Sequence, residues 1–102
     1  MDQESVRRRL DGAITGDRPV LIEFYASWCP HCRRMMPIVE RLRELHGDRL
    51  RIEQVDGDEY PEVMADYEAD SFPTWIFYAE GRETARDSGE MSLDELEEFT
   101  GC

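Results

Sequence analysis

Residues 20–25, Val-Leu-Ile-Glu-Phe-Tyr, are short, rich in strand formers and apolar on both alternating faces. That pattern suits a strand covered on both sides. Such a strand is the middle layer of an α/β fold, so helices must lie above and below it. The flanking sequence supplies them. Upstream, Val6, Leu10 and Ile14 recur at helical spacing over residues 2–14, with Glu4/Arg8 and Arg7/Asp11 four apart on the remaining surface, until Gly16, Asp17 and Pro19 end the pattern. Downstream, Met36, Val39, Leu42 and Leu45 are expected to share the buried face of a long helix that Gly47 terminates. Pro37 falls inside this helix and removes one backbone donor, which predicts a kink near residues 33–37 rather than a break.

The rest of the chain reads in the same way. Leu50 to Val55 alternates as a second strand, closed by Asp56-Gly57-Asp58, and Pro61 suits the first turn of a helix through Val63, Met64 and Tyr67. Thr74 to Ala79 is the strongest strand signal, with Trp75 expected to pack in the sheet. Glu80-Gly81-Arg82 is read as a hairpin turn into a weaker strand over Glu83 to Asp87. Ser92 with Glu95 makes a capping box ahead of Leu93, Leu96 and Phe99, so the last element is a helix. The expected order is helix, strand, helix, strand, helix, strand, strand, helix, in a single domain spanning residues 1–102. The first two strands should be parallel through a crossover helix, and the last two an antiparallel hairpin.

Charge narrows the classes of partner. Acidic residues outnumber basic ones by 24 to 12, for a formal charge of −12, so a polyanion such as DNA or RNA would be repelled. All the basic residues are arginines, and the acidic excess is read as a solvated face. No run approaches the roughly 18 apolar residues of a membrane span, and Met1-Asp2-Gln3-Glu4 does not open a signal peptide. The expected setting is cytoplasmic, the expected state a monomer, and no membrane partner is expected.

Three cysteines are too few and too uneven for a disulfide-stapled secreted domain, and two of them form Cys29-Pro30-His31-Cys32 at the handover from strand to helix. At a helix N-terminus, unpaired N–H groups and the helix dipole favour an anion, so Cys29 should ionise below the free-thiol value of about 8.5. Cys32 lies one turn on and can close a small-loop disulfide with it. Cys29 is therefore the expected nucleophile and Cys32 the resolving thiol. Pro30 suits the first helical position, and His31 can place a donor or a positive charge beside the Cys29 sulfur. Half of a zinc site and two merely packed cysteines are the competing readings, and no second Cys-x-x-Cys exists to complete a zinc site.

Glu23 lies in a strand that otherwise reads as wholly buried, so desolvation should raise its pKa. A carboxyl held near neutrality could accept the Cys32 proton, through water, when Cys32 attacks a mixed disulfide. A strand carboxylate reaching solvent at the sheet margin is the alternative. Phe72-Pro73 precedes a strand, where proline removes a ladder donor, and a cis peptide there would turn the Phe72 backbone toward an extended substrate peptide beside Cys29. Trp28 adjoins the nucleophile and is read as a shield over the site. Cys102 is read as an incidental exposed thiol, and His46 as a favourable charge at a helix C-terminus rather than a ligand.

Residues 20–32 resemble the active-site strand and helix of the thioredoxin family. Pro37, Phe72-Pro73-Thr74 and Gly89 resemble that family's kinking proline, cis-proline segment and late glycine. The resemblance implies a thioredoxin fold, a central mixed sheet flanked by helices. It also implies a nucleophilic Cys29, a resolving Cys32, a buried acid at Glu23 and a cis Pro73. The chain departs from the family in four respects. Cys-Pro-His-Cys replaces the usual Cys-Gly-Pro-Cys and is typical of periplasmic disulfide oxidases. Only 40 residues separate Cys32 from Pro73, too few for those oxidases' helical insertion. The chain opens on a helix, so about four strands are expected, without the family's first strand. Ile52 stands where the family often has a lysine near the buried acid.

The function so implied is a thiol:disulfide oxidoreductase that exchanges two electrons with protein disulfides or dithiols. Its first reading is a protein-disulfide reductase recharged by a partner such as a thioredoxin reductase, with no metal or organic cofactor. A more oxidising oxidase or isomerase, a glutaredoxin-like protein and a binding module that uses the groove between Cys29 and Phe72 without turnover are the alternatives.

Overall fold

A computed structural model describes residues 2–102. Eight elements follow in the expected order: α1 (Gln3–Ile14), β1 (Val20–Tyr25), α2 (Pro30–His46), β2 (Arg51–Asp56), α3 (Pro61–Asp66), β3 (Thr74–Ala79), β4 (Arg82–Ser88) and α4 (Leu93–Thr100). The strands form one sheet in the order β2-β1-β3-β4. β1 pairs parallel with β2 and antiparallel with β3, and β3 pairs antiparallel with β4. The run that is apolar on both faces thus became the central strand, paired on both edges and buried along all but its last residue.

Alternation along β1 divides the interior in two. Val20, Ile22 and Phe24 join Val6, Leu10, Val63 and Ile76 in a core under α1 and α3. Leu21 joins Met35, Leu42, Trp75 and Leu96 in a second core under α2 and α4. Trp75 is fully buried there, as expected, and its indole N–H donates to the Gly89 carbonyl at 2.8 Å.

The local signals acted as punctuation. Asp2 accepts from the Ser5 N–H to cap α1, and Ser92 and Glu95 form both hydrogen bonds of the capping box on α4. The β3–β4 hairpin closes on Glu80 and Gly81, both at positive φ (54° and 78°), the backbone of a two-residue type I′ turn. Helix α2 runs unbroken through Pro37. Its buried face differs from the expected one. Cys32, Met35, Val39 and Leu42 point inward, whereas Met36 is 59% exposed and Leu45 39% exposed. Each residue turns about 100° round a helix, so a seam through Met35 swings Met36 out of the core.

Candidate active site

Cys29 is the N-cap of α2, with extended backbone angles (φ −79°, ψ 118°), and Pro30 fills the first helical position. The Cys29 side chain makes no capping hydrogen bond, and its sulfur lies at the helix end where the first N–H groups are free. Burial pushes the Cys29 thiol up. The Cys32 backbone N–H and thiol, the His31 backbone N–H and the charge of Arg34 favour the thiolate, outweigh that and leave it below its ordinary value. The two sulfurs are free thiols, so the geometry is that of the reduced dithiol.

Cys32, one turn further in, is 2% exposed. Burial dominates its environment, and the neighbouring Cys29 and Glu23 add to it, so its pKa is pushed up to about 12 although the Ala26 backbone N–H pulls the other way. Identical side chains three residues apart are thereby driven in opposite directions.

Glu23 is also 2% exposed, on the α2 side of β1. Burial raises its pKa to about 7, against a hydrogen bond from Gln54 and the charge of Arg43. The strand register puts Gln54 of β2 beside Glu23, and its amide N–H donates to Glu23 Oε1 at 2.9 Å. Arg43 of α2 in turn donates to Gln54 Oε1 at 3.2 Å. The partner of the buried acid is therefore Gln54, with Ile52 one pleat away beside Leu21. The carboxyl does not reach open solvent at the sheet margin. Instead Glu23, Tyr25, Cys32, Met36 and Gln54 line a cavity of about 60 Å³, large enough for a water, whose share of liquid volume is about 30 Å³.

The β3 side completes the site. The Phe72–Pro73 peptide is cis. The Phe72 carbonyl oxygen lies 3.8 Å from Cys29 Sγ, in reach of the S–H donor. Gly57 lets the Phe72 ring lie this close. An added Cβ there would collide with Met64 Sδ and meet Phe72 Cε1 at 2.6 Å. Trp28 is 62% exposed and stands edge-on to Phe72, with ring centroids 5.8 Å apart at 86°, while its indole N–H donates to the Asp58 carboxylate. It flanks Phe72, and Met36 is exposed beside the cavity that Cys32 and Glu23 line.

His31 departs from its expected part. Its backbone N–H, and not its ring, favours the Cys29 thiolate. The imidazole Nδ1 lies 2.7 Å from Glu90, which Arg34 also grips, at 3.1 Å through Nε and 2.7 Å through Nη2. The positive charge that reaches Cys29 comes from Arg34, which sequence reading passed over together with Glu90 and Gln54. Strand register could have singled out Gln54; nothing local points to Glu90. Cys102 is exposed. His46 sits near the end of α2 with its Nε2 2.7 Å from Glu97. Among the described residues no group of three metal-ligating side chains converges.

The geometry agrees with the chain's relatives. The family model described as Thioredoxin matches residues 4–101. A thioredoxin of Alicyclobacillus acidocaldarius is 38% identical over 85 residues, covering 83% of this chain and 81% of the relative. The chloroplastic thioredoxin Y1 of Arabidopsis thaliana is 30% identical over 84% of this chain, a match that spans 50% of the plant protein. The structure of a mutant thioredoxin from Halobacterium salinarum superimposes with a TM-score of 0.82 at 29% identity, over 91% of this chain and 84% of that one. With its cysteine pair at the head of α2, its four-stranded mixed sheet and a family match along nearly its whole length, the chain has the thioredoxin fold and belongs to the thioredoxin family.

Proposed function

We propose that this protein is a protein-disulfide reductase that works in a reducing compartment such as the cytoplasm and is recharged by a thioredoxin reductase. A family of thiol:disulfide oxidoreductases frames the reading. One observation carries it: Cys29, 4% exposed at the N-cap of α2 and beside the Phe72 carbonyl, is held ionisable, while Cys32 is held protonated against the cavity that Glu23 lines. Attack needs a thiolate, and a premature second thiolate would only repel it.

In the forward direction Cys29 S⁻ attacks one sulfur of a substrate disulfide, forming a mixed disulfide and releasing the other substrate sulfur as thiolate. The substrate chain lies extended against the Phe72 backbone, between Trp28 and Pro73. Cys32 then loses its proton to Glu23 through a water in the cavity and attacks Cys29 Sγ. The second substrate sulfur leaves, the substrate is a dithiol, and Cys29–Cys32 holds the disulfide. Glu23 suits this transfer because its pKa of about 7 lets it accept a proton at neutral pH and give it up again in the next cycle. Run backwards, the same steps oxidise a dithiol, and the potential decides the direction.

The test is the equilibrium potential of the pair in glutathione buffers, with thiols trapped and counted by mass in a Cys102→Ser background. A value near the roughly −270 mV of thioredoxin is expected, and one at about −180 to −120 mV would make the protein an oxidase or isomerase. Cys32→Ser should accumulate a one-to-one mixed disulfide with a disulfide-bonded protein substrate, and Cys29→Ser none. Absence of any reversible two-electron transition would leave a binding module.

A further inference from the structure

Glu90 lies 59 residues from His31 in sequence yet sits against the first turn of α2. The segment that carries it is pinned on both sides. Gly89 donates its N–H to the Pro73 carbonyl at 2.9 Å and accepts from the Trp75 indole at 2.8 Å, with a φ of +92° that side chains rarely adopt. Met91 is buried, its N–H on Met35 Sδ at 3.3 Å, and Ser92 caps α4. Between these anchors Glu90 takes Arg34 and His31 together, with Arg34 Nη2 and His31 Nδ1 each 2.7 Å from Oε2. Arg34 has no acceptor to offer, and Glu90, which those two donors hold down at about 2, has no proton. Arg34 Nη2 also lies 3.0 Å from His31 Nδ1, so the three side chains touch one another.

We propose that Glu90 is a positioning residue that draws the Arg34 cation into its own ion pair, so that it stabilises the Cys29 thiolate less and the Cys-Pro-His-Cys pair is more reducing than its tetrapeptide alone would make it. The inference deepens the reductase reading and rests on it for the direction of electron flow. Asp87 of β4 and Glu95 and Glu98 of α4 line the same groove as Glu90. A stabilised thiolate stabilises the reduced protein and makes its disulfide the stronger oxidant. Because Arg34 and His31 are more than half exposed, the effect is electrostatic, modest and screened by salt.

Glu90→Gln keeps the shape and removes the charge. In the Cys102→Ser background, the Cys29 thiolate is titrated by its absorbance near 240 nm and the equilibrium constant with glutathione is measured at pH 8. The thiolate pKa should fall by about half a unit, and the disulfide should become about threefold more oxidising, or roughly 14 mV at 29.6 mV per tenfold. Both changes should shrink in about 1 M salt, where the Debye length is about 3 Å. Glu90→Asp should restore most of the parental values, and Arg34→Gln should shift both the opposite way. An unchanged thiolate pKa in Glu90→Gln, or one that rises, overturns the proposal; should that variant misfold, a thiolate pKa that does not rise in Arg34→Gln overturns it instead. The thiolate titration needs no turnover. A parent protein whose potential is that of an oxidase therefore defeats the reductase reading without deciding the role of Glu90.

Discussion

The two faces of β1 are built from alternate residues of one strand, yet they do different work. Val20, Ile22 and Phe24 enter a core under α1 and α3 that is apolar throughout and closed. Leu21 and Glu23 face α2, where the core is apolar near Leu21 and gives way, two residues on, to a polar cavity shared by Glu23, Gln54 and Cys32. One face supplies burial energy. The other gives up some of it to hold a carboxyl where its proton is exchangeable near neutrality. The difference shows how a small domain can carry chemistry: the polar defect is confined to one end of one face, backed by an intact core across the sheet.

The largest expected effect comes from opening the closed face. Ile22→Ala removes a fully buried side chain and should cost about 2–5 kcal/mol of stability, read by denaturant unfolding, with the potential of the folded protein unchanged. A shift in potential would show that the faces are coupled.

Glu23→Gln tests the opposite face, and its sign is reversed. The folded-state pKa of about 7 lies above the ordinary 4.5, so the native state binds the proton more tightly than the unfolded chain does. Stability from this group is complete below pH 4.5 and lost as pH rises through about 7. At pH 8 the ionised carboxylate therefore costs about 3 kcal/mol at 1.36 kcal/mol per pKa unit. Glu23→Gln should recover up to that amount at pH 8 and nothing near pH 4.5. It should also slow resolution of the mixed disulfide on the order of 10²-fold. A gain over the parent that is no larger at pH 8 than at pH 4.5 would mean that Glu23 is not strained by burial.

Gln54→Leu sharpens the same contrast. It removes the hydrogen bond that favours the ionised form, so the Glu23 pKa should rise by on the order of one unit, displacing the pH profile of the resolving step upward. The smallest effect lies outside both faces. Glu80 holds a positive φ in the type I′ turn, and Glu80→Asn should stabilise the fold by about 0.5–1 kcal/mol in thermal unfolding, with no change in thiol chemistry.

Much of this was legible in the chain because its causes are local. The alternation of β1, Pro30 and Pro61 at helix starts, the Ser92–Glu95 box and the Glu80-Gly81 turn each act within a few residues, and each element appears where its signal lies. Helical spacing was less decisive for α2, since two apolar stripes, through Met35 and through Met36, compete for the core and only the packing partner chooses. The cysteines, Glu23 and the Phe72–Pro73 segment were likewise readable, two of them from the cost of an odd residue in a strand.

The amino-acid sequence alone determined the order of elements, the buried acid and the pair of sulfurs at a helix start, since period and punctuation are properties of neighbours. Tertiary structure decided which charges surround them. Gln54 meets Glu23 across 31 residues and Glu90 meets His31 across 59, and the strengths of these contacts depend on distances that only the register of β1 with β2 and the docking of the Gly89–Ser92 segment bring below 3 Å. Electrostatic energy falls with separation in space and is indifferent to separation along the chain, so the tuning of the two thiols belongs to the fold.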